Sequence, residues 1–237
     1  MSGEYRPVPL SFERKSPQEM EALSKQLEAD LASRRSVREF SPESFPREWL
    51  DCAIAAASTA PSGAHRQPWH FVVVDDPEIK REIRIAAERE EERSYGGRMP
   101  EDWLEALRPI GTDESKPYLE IAPYLVILFA ETQGVSSAGE KQKNYYVTES
   151  VGIAAGLFIG AIHRLGLATL THTPSPMKFL RDLLQRPVRE KPFLLFPVGY
   201  PASGCRVPDL KRKELEAVRS FNRDGLPSDS RESQSES

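Results

Sequence analysis

The stretch Ser33-Arg34-Arg35-Ser36-Val37-Arg38 is the most informative part of this chain, because three arginines lie within five positions. A guanidinium group stays charged at every accessible pH and pairs with phosphate oxygens through two parallel hydrogen bonds. The cluster therefore predicts a site for a large anion. A solvated basic turn is the alternative interpretation, and the arginines alone do not decide between the two.

A loop of small residues, Ala60-Pro61-Ser62-Gly63-Ala64-His65, follows one predicted helix later. Its proline, serine, glycine and alanine side chains carry no bulk that would keep a flat ring away from the backbone amides. An anion site together with a shelf for a planar ring favours flavin mononucleotide (FMN) as the cofactor.

The composition is that of a globular protein: the 237 residues are 39% hydrophobic and 29% charged, with a formal net charge of −4. This balance excludes nucleic-acid binding through bulk positive charge. The N-terminus lacks an apolar signal segment, and the most apolar stretch, residues 151–162, is too short to span a membrane. We therefore expect a soluble, cytoplasmic protein with neither a nucleic-acid nor a membrane partner.

Neither the cysteines nor the histidines form a recognisable site. Cys52 lies on an apolar predicted helix and is expected to be a buried thiol, far in sequence from Cys205. His163 is expected to be a packing residue at a helix end. No metal site is predicted, because the four histidines, His65, His70, His163 and His172, lack ligand spacing. Rossmann, P-loop and nucleophile-elbow motifs do not occur either.

Periodicity and capping residues predict one α+β domain over residues 30–222, with an N-terminal helical extension over 1–29 and a disordered tail over 223–237. Helices are predicted at about 17–32, 46–60, 77–95, 103–107, 145–165 and 177–184, with a last one opened by the basic run 211–213. Strands are predicted at 69–74, 124–130, 167–171 and 192–198, and a polar loop at 133–143.

Three glycines, Gly152, Gly156 and Gly160, recur at four-residue spacing on the long predicted helix. Each costs about 1 kcal/mol relative to alanine in a helix interior. One glycine face therefore predicts the close approach of another backbone, either inside the subunit or across a dimer.

Two further segments are candidates for the same site. In Thr171-His172-Thr173-Pro174, which closes a predicted strand, a hydroxyl could donate to a ring nitrogen, although helix capping is the commoner use of this pattern. Arg212 could add a phosphate contact, although a solvated charge is the commoner role for such a residue.

The order of these segments resembles the nitroreductase superfamily and, within it, the iodotyrosine deiodinases. The resemblance covers about residues 30–220. It is carried by Arg34–Phe40, Thr59–His65, Pro68–Val74, Thr171–Pro174, and Pro197–Pro201 before Pro208–Lys213. It implies an α+β, nitroreductase-like fold with a central, mostly antiparallel sheet flanked by helices, and a domain-swapped homodimer with FMN at its interface.

The resemblance also implies a substrate lid over about residues 88–118, whose glutamate, tyrosine and lysine fall on Glu91, Tyr95 and Lys116. Glu91 and Tyr95 are four apart and thus neighbours on one helix face. The glutamate would accept from a substrate ammonium, and the other two would donate to its carboxylate. For Glu91 alone, a wet helix face is the competing interpretation.

Residue by residue, the resemblance assigns catalytic roles to the Thr173 hydroxyl, directed at flavin N5, and to the Ala64 amide, which would hold the substrate phenolate. Pro61, Ser62 and Gly63 would line the flavin from the partner subunit. The remaining cofactor-binding residues would be Arg34, Arg35, Ser36, Val37, Arg38, Thr171, His172 and Arg212.

The activity implied is reductive dehalogenation of iodo-, bromo- or chlorotyrosine to tyrosine and halide, with a reduced nicotinamide or a reductase as electron donor. A general nitroreductase or flavin reductase using NAD(P)H is the alternative enzyme. A flavin carrier without turnover is the alternative of another class. A promiscuous site needs no grip on an amino-acid zwitterion, which favours the dehalogenase.

Overall fold

The computed structural model describes residues 5–135 and 139–222, which form a mixed α/β arrangement around one antiparallel sheet. Six strands occur among them: β1 Trp69–Val74, β2 Tyr124–Glu131, β3 Gln133–Val135, β4 Lys141–Lys143, β5 Ala168–Thr169 and β6 Glu190–Gly199. The α-helices are α1 Pro17–Ser33, α2 Arg47–Ala57, α3 Pro77–Arg93, α4 Glu101–Leu107, α5 Tyr118–Ile121, α6 Val147–Arg164 and α7 Lys178–Leu183. The predicted tail, 223–237, lies outside the described residues.

The main sheet has the order β1-β2-β6-β5, and every neighbouring pair is antiparallel. Residues of β2 alternate between two cores, because successive side chains of a strand point to opposite faces. Val126 and Leu128 pack with α2 and α6, whereas Ile127 and Phe129 pack with α3, α5 and α7. Helices thus cover both faces, which confirms the predicted fold class.

Helix α6 buries one side and leaves the other open. Val151, Phe158 and Ile162 are fully buried against the sheet. On the opposite side, a Cβ added at Gly152, Gly156 or Gly160 would meet nothing within 4 Å. The close contact predicted for this glycine face is therefore not made inside the subunit, among the residues that the structure describes.

Helix α1 begins at a capping box formed by Ser16 and Glu19 and extends away from the core. Its apolar stripe is exposed throughout: Met20, Leu23, Leu27 and Leu31 all lie at the surface. The helix is attached to α6 near its C-terminal end, where Nε2 of His163 lies 2.8 Å from the Asp30 carbonyl oxygen and 3.1 Å from the Ser33 hydroxyl. His163 thus lies in the last turn of α6, as predicted for a helix-end residue, and its ring contacts α1 through hydrogen bonds.

Several sequence-based boundaries were wrong. The predicted polar loop contains the short β3–β4 hairpin. The helix predicted over 77–95 leaves α-helical geometry at Arg93 and widens into a π-helical turn, Ser94–Arg98, whose Gly97 has a φ of 131°. Cys52 is exposed, because α2 buries Leu50 and Ala53 and turns the intervening thiol outward.

The basic run 211–213 does not open a helix; a single 3-10 turn, Leu215–Ala217, follows it. The physical reason lies in Arg212, whose guanidinium binds backbone carbonyls at the end of α1 and so fixes the run against that helix. None of the helices over 5–135 and 139–222 is both long and apolar enough to cross a membrane.

Candidate functional site

The arginine clamp, defined as Arg34, Arg35, Arg38 and Arg212, forms where the chain leaves α1. The Val37 side chain is buried, and its N–H donates to the Thr169 carbonyl at 3.3 Å. This contact aligns the segment beside β5. A cavity of about 250 Å³ results, lined mainly by Arg34, Arg35, Ser36, Arg38, Pro208 and Arg212.

The C-terminal segment closes one wall of this cavity. The Arg212 guanidinium donates to the carbonyl oxygens of Ala32 at 3.0 Å and Arg34 at 2.8 Å. Arg35 in turn donates to the Pro208 carbonyl. Residues nearly 180 positions apart are thereby joined, with Arg34 and Arg212 separated by 178 in sequence. The structure brings the four predicted arginines together.

Two buried polar atoms have no hydrogen-bond partner within the described part of the chain: Nε of Arg38, in the clamp, and Nε2 of His172. The backbone N–H and carbonyl of His172 form hydrogen bonds with the backbone of Leu195. Nδ1 of the His172 ring lies 3.4 Å from the Tyr118 hydroxyl. Burial, with Lys116 and Arg38 nearby, lowers the pKa of His172 to about 3, so the ring is neutral. Unsatisfied buried polar atoms of this kind require an explanation, and a bound polar ligand supplies one.

The three consecutive residues Thr171, His172 and Thr173 alternate between the surface and the interior. Thr171 and Thr173 are exposed, whereas His172 between them is only 6% exposed. The two hydroxyls and the His172 ring therefore point to opposite sides of this extended segment. Only the threonines are available to a ligand lying on the outer side.

The lid residues Glu91, Tyr95 and Lys116 come together near the arginine clamp, because α3 packs into the same core cluster as Val37. Lys116 is 2% exposed, and its Nζ lies 5.8 Å from the centre of the Tyr95 ring. The Tyr95 hydroxyl donates to the Thr112 carbonyl at 3.1 Å, and the Lys116 ammonium donates to the Asp113 carbonyl. Glu91 is only 9% exposed, so the competing interpretation of a wet helix face does not hold for it.

Burial acts on both charged groups of this cluster. It raises the pKa of Glu91, and the nearby Lys116 ammonium only partly opposes the shift. Burial also lowers the pKa of Lys116, against the attraction of Glu91 and Asp113, and the positive Arg38 adds to the lowering. Each group would gain from a ligand of opposite charge, and Arg38 links this cluster electrostatically to the arginine clamp.

The small-residue loop, Ala60–His65, lies at the other end of α6. Gly63 pairs with Tyr145 in a β-bridge, and its N–H donates to the Ser150 hydroxyl at 3.4 Å. A Cβ at Gly63 would lie 2.6 Å from the Tyr145 carbonyl oxygen, so the close approach requires glycine. Ala64 and His65 both have positive φ, 49° and 54°.

One chain does not bring this loop to its own arginine clamp. The loop contacts the N-terminal end of α6, whereas the clamp borders a cavity that includes His163 near the C-terminal end. A helix of 18 residues is about 27 Å long at 1.5 Å per residue. Of the predicted site, the structure assembles the clamp and the lid, and it leaves Pro61, Ser62, Gly63 and Ala64 apart.

Comparison with known proteins agrees with this geometry. The family model described as "Nitroreductase family" matches residues 31–200. The chain belongs to the nitroreductase family. Among curated relatives, this family member is 56% identical to the iodotyrosine deiodinase of Haliscomenobacter hydrossis over 211 residues, covering 89% of this chain and 95% of that protein. It is 45% identical to the iodotyrosine deiodinase of Danio rerio, covering 89% and 72%.

Solved structures place the nitroreductase-family chain in the same group. It is 31% identical to an oxidised iodotyrosine deiodinase bound to FMN and 3-iodo-L-tyrosine, with a TM-score of 0.69 over 83% of this chain and 98% of that one. An FMN-bound nitroreductase from Bacteroides fragilis shares the fold at 22% identity, with a TM-score of 0.60 over 82% and 97%. The resemblance inferred from the sequence is confirmed.

Sequence reasoning missed part of this nitroreductase-family site. Tyr118 lies beside His172, and Glu88 accepts a hydrogen bond from the Lys116 backbone at 2.6 Å. Glu88 could have been found from its spacing, because it lies three residues before Glu91 and four after Arg84. No sequence signal identifies Tyr118, since it reaches the site only through the packing of α5.

Proposed function

We propose that this chain is an FMN-dependent reductive dehalogenase acting on iodotyrosine. The observation that carries the proposal is the gathering of the buried Glu91 and Lys116 and the half-buried Tyr95 in one cluster beside the arginine clamp. Such a cluster offers one acceptor and two donors, as the zwitterion of a free amino acid requires. The relatives that this chain matches over most of their length are iodotyrosine deiodinases, which supports deiodination as the activity of this chain.

The residues of the clamp fit FMN. Guanidinium groups with free donors suit a phosphate, and the partnerless Nε of Arg38 suits a polar edge of the ring system. Ser36, Thr171 and Thr173 add exposed hydroxyls, and we assign the Thr173 hydroxyl to flavin N5. When bound, FMN supplies the electrons for reduction, and the protein orients the reactants.

In the proposed reaction the carbon–halogen bond of the substrate is replaced by a carbon–hydrogen bond. The halotyrosine takes up two electrons and one proton and releases tyrosine and a halide ion. Glu91 accepts from the substrate ammonium, while Lys116 and Tyr95 exchange their present carbonyl partners for the substrate carboxylate. These contacts position the ring, and the Ala64 amide holds the phenolate. We extend the substrate class to bromo- and chlorotyrosine.

We propose a domain-swapped homodimer, in which Pro61, Ser62, Gly63 and Ala64 of each subunit complete the flavin site of the other. The separation of the loop from the clamp along α6 supports this arrangement. So does the open face of that helix, where Ile153 and Leu157 are exposed beside the glycines. The exposed stripe of α1, most of which belongs to the N-terminal extension 1–29, provides further apolar surface for the partner.

The lid over about residues 88–118 and a reduced nicotinamide or a reductase as electron donor belong to the same proposal. A cytoplasmic location is also proposed. Both cysteines are free thiols, which suits a reducing compartment.

The decisive experiment starts from purified protein with bound FMN, reduced anaerobically with dithionite. Addition of 3-iodotyrosine should release iodide and tyrosine in equal amounts and reoxidise the flavin. The variant Lys116→Ala should bind iodotyrosine more weakly by about 1.5–3 kcal/mol, the range of a hydrogen bond to a charged group. If no iodide appears while a nitroaromatic is reduced, the protein is the alternative nitroreductase. If neither substrate oxidises the flavin, the enzymatic proposal is wrong.

A further inference from the structure

A single polar stripe runs along α3 and the π-helical turn that follows it. It consists of Lys80, Arg84, Glu88, Glu91 and Tyr95, spaced by three or four residues, which places them on one side of the helix. The proposed substrate contacts occupy only its C-terminal part, Glu91 and Tyr95. The N-terminal part contacts another segment of the chain, residues 116–122.

Lys80 fixes the far end of that segment. Its ammonium donates to the carbonyl oxygens of Glu120 at 3.0 Å and Ala122 at 2.9 Å, at the end of α5. Lys80 is buried, and burial lowers its pKa despite the attraction of Asp75 and Glu120. The carbonyl oxygens at a helix end have no partner within the helix, so the ammonium supplies one.

Glu88 fixes the near end of the segment, at Lys116 itself. One carboxylate oxygen of Glu88, Oε1, accepts the Lys116 backbone N–H at 2.6 Å and also the Arg84 Nε–H at 2.9 Å. The Glu88 side chain is 21% exposed, so this contact is mostly shielded from water. Arg84 reaches on to Glu120 at 3.4 Å, which ties both ends of the segment to one side chain.

The backbone of Lys116 is thus held by Glu88, which lies about one helical turn before Glu91 on α3. Among the residues that the structure describes, the Lys116 ammonium donates hydrogen bonds within its own loop only, to the Asp113 carbonyl and, at 3.4 Å, to the Thr112 hydroxyl. A hydrogen bond from the Glu88 carboxylate therefore sets where the Lys116 ammonium lies relative to the carboxylate of Glu91. When a hydrogen-bond donor of the protein is misplaced, a rigid ligand loses far more binding affinity than a flexible one, because it cannot adjust to the new position.

We propose that Glu88, oriented by Arg84, is a positioning residue that sets the spacing between the ammonium-binding and carboxylate-binding groups of the substrate lid. This inference rests on the proposed halotyrosine activity. It assigns to Glu88 a selective effect: binding of a ligand that carries both ammonium and carboxylate depends on it, whereas binding of the halogenated ring alone does not.

The test compares two ligands of the FMN-loaded protein by quenching of flavin fluorescence. One is 3-iodotyrosine, and the other is 2-iodophenol, which has the same ring and halogen without the zwitterion. Glu88→Ala should weaken iodotyrosine binding roughly tenfold or more and leave iodophenol binding unchanged. Glu88→Gln should restore most of the affinity, because both hydrogen bonds go to one oxygen that glutamine retains.

Glu92→Ala is the matched control, because Glu92 is exposed on the same helix. Equal weakening of both ligands, or unchanged iodotyrosine affinity in Glu88→Ala, overturns the inference. If Glu88→Ala does not retain FMN, Arg84→Met replaces it, and the same selectivity between ligands is expected. Failure of the unmodified protein to bind iodotyrosine would instead count against the proposed function, so the two failures are distinguishable.

Discussion

The two ends of α6 carry different halves of one proposed site. At the C-terminal end the arginine clamp is charged, and contacts within the chain assemble it, including those from Arg212. At the N-terminal end the small-residue loop is uncharged up to Ala64 and is fixed by Gly63 against Tyr145. The first half binds an anion by charge, and the second offers backbone to a flat ring.

This contrast explains why, under this proposal, one chain cannot form a complete flavin site. Both halves are preformed, yet the length of α6 keeps them apart. A second copy, approaching along the glycine face, would bring the loop of one subunit to the clamp of the other. Substitutions that separate the two halves, or weaken one of them, therefore test this arrangement.

The largest effect is expected from Gly156→Trp, which should separate the halves entirely. Space around Gly156 is open within one chain, so the indole is tolerated by the subunit fold. It would nevertheless prevent the close approach of a partner backbone. Light scattering should show a fall from two chains to one, together with loss of bound FMN.

The control for this variant is Glu82→Trp, which adds the same bulk at an exposed position of α3. It should keep both the mass and the flavin of the unmodified protein. Retention of FMN by a monomeric Gly156→Trp protein would show that one chain holds the cofactor unaided, and the shared site would then be wrong.

A smaller effect is expected from Arg38→Ala, which weakens only the clamp. Loss of one hydrogen-bonding charge should weaken FMN binding by about 1.5–3 kcal/mol, which corresponds to a dissociation constant roughly tenfold to a hundredfold higher. Equilibrium dialysis measures this directly, and the mass should remain that of two chains. Arg47→Ala, an exposed arginine at the start of α2, is the comparison variant and should bind FMN normally.

The smallest expected effect is the pH dependence of iodotyrosine affinity. It distinguishes the lid, which carries titratable side chains, from the uncharged part of the loop. Because burial raises the pKa of Glu91, protonation should remove the acceptor for the substrate ammonium at a pH above the ordinary value of 4.5. Iodotyrosine affinity should therefore decline as pH falls, by no more than about tenfold per pH unit for one proton.

At the alkaline side, burial lowers the pKa of Lys116, so its charge is lost below the ordinary value of 10.5. Affinity for iodotyrosine should decline there as well. Fluorescence titration across the pH range tests both limbs. Glu91→Gln should abolish the acidic limb, and its persistence in that variant would mean that another group titrates.

Sequence patterns predicted the sheet and most helices well, because strands such as β2 are continuous apolar runs bounded by turn residues. They failed where tertiary contacts decide local structure. The run 211–213 has helical composition, yet Arg212 is bound to α1 carbonyls and no helix follows directly. Cys52 lies in an apolar run and still faces outward, because only packing determines which side of α2 meets the sheet.

The chemical groups of the proposed site can be read from the sequence: three guanidinium groups in one short stretch, a loop too small to shield its amides, and a glutamate and a tyrosine one helical turn apart. Side-chain identity and spacing are local properties, and a linear chain displays them. Which of these groups come into contact depends on the folded chain. It brought Lys116 to Tyr95, attached Lys116 to Glu88, and set the length of α6 between clamp and loop. Contacts between distant residues depend on how buried surfaces pack, and no local pattern specifies that.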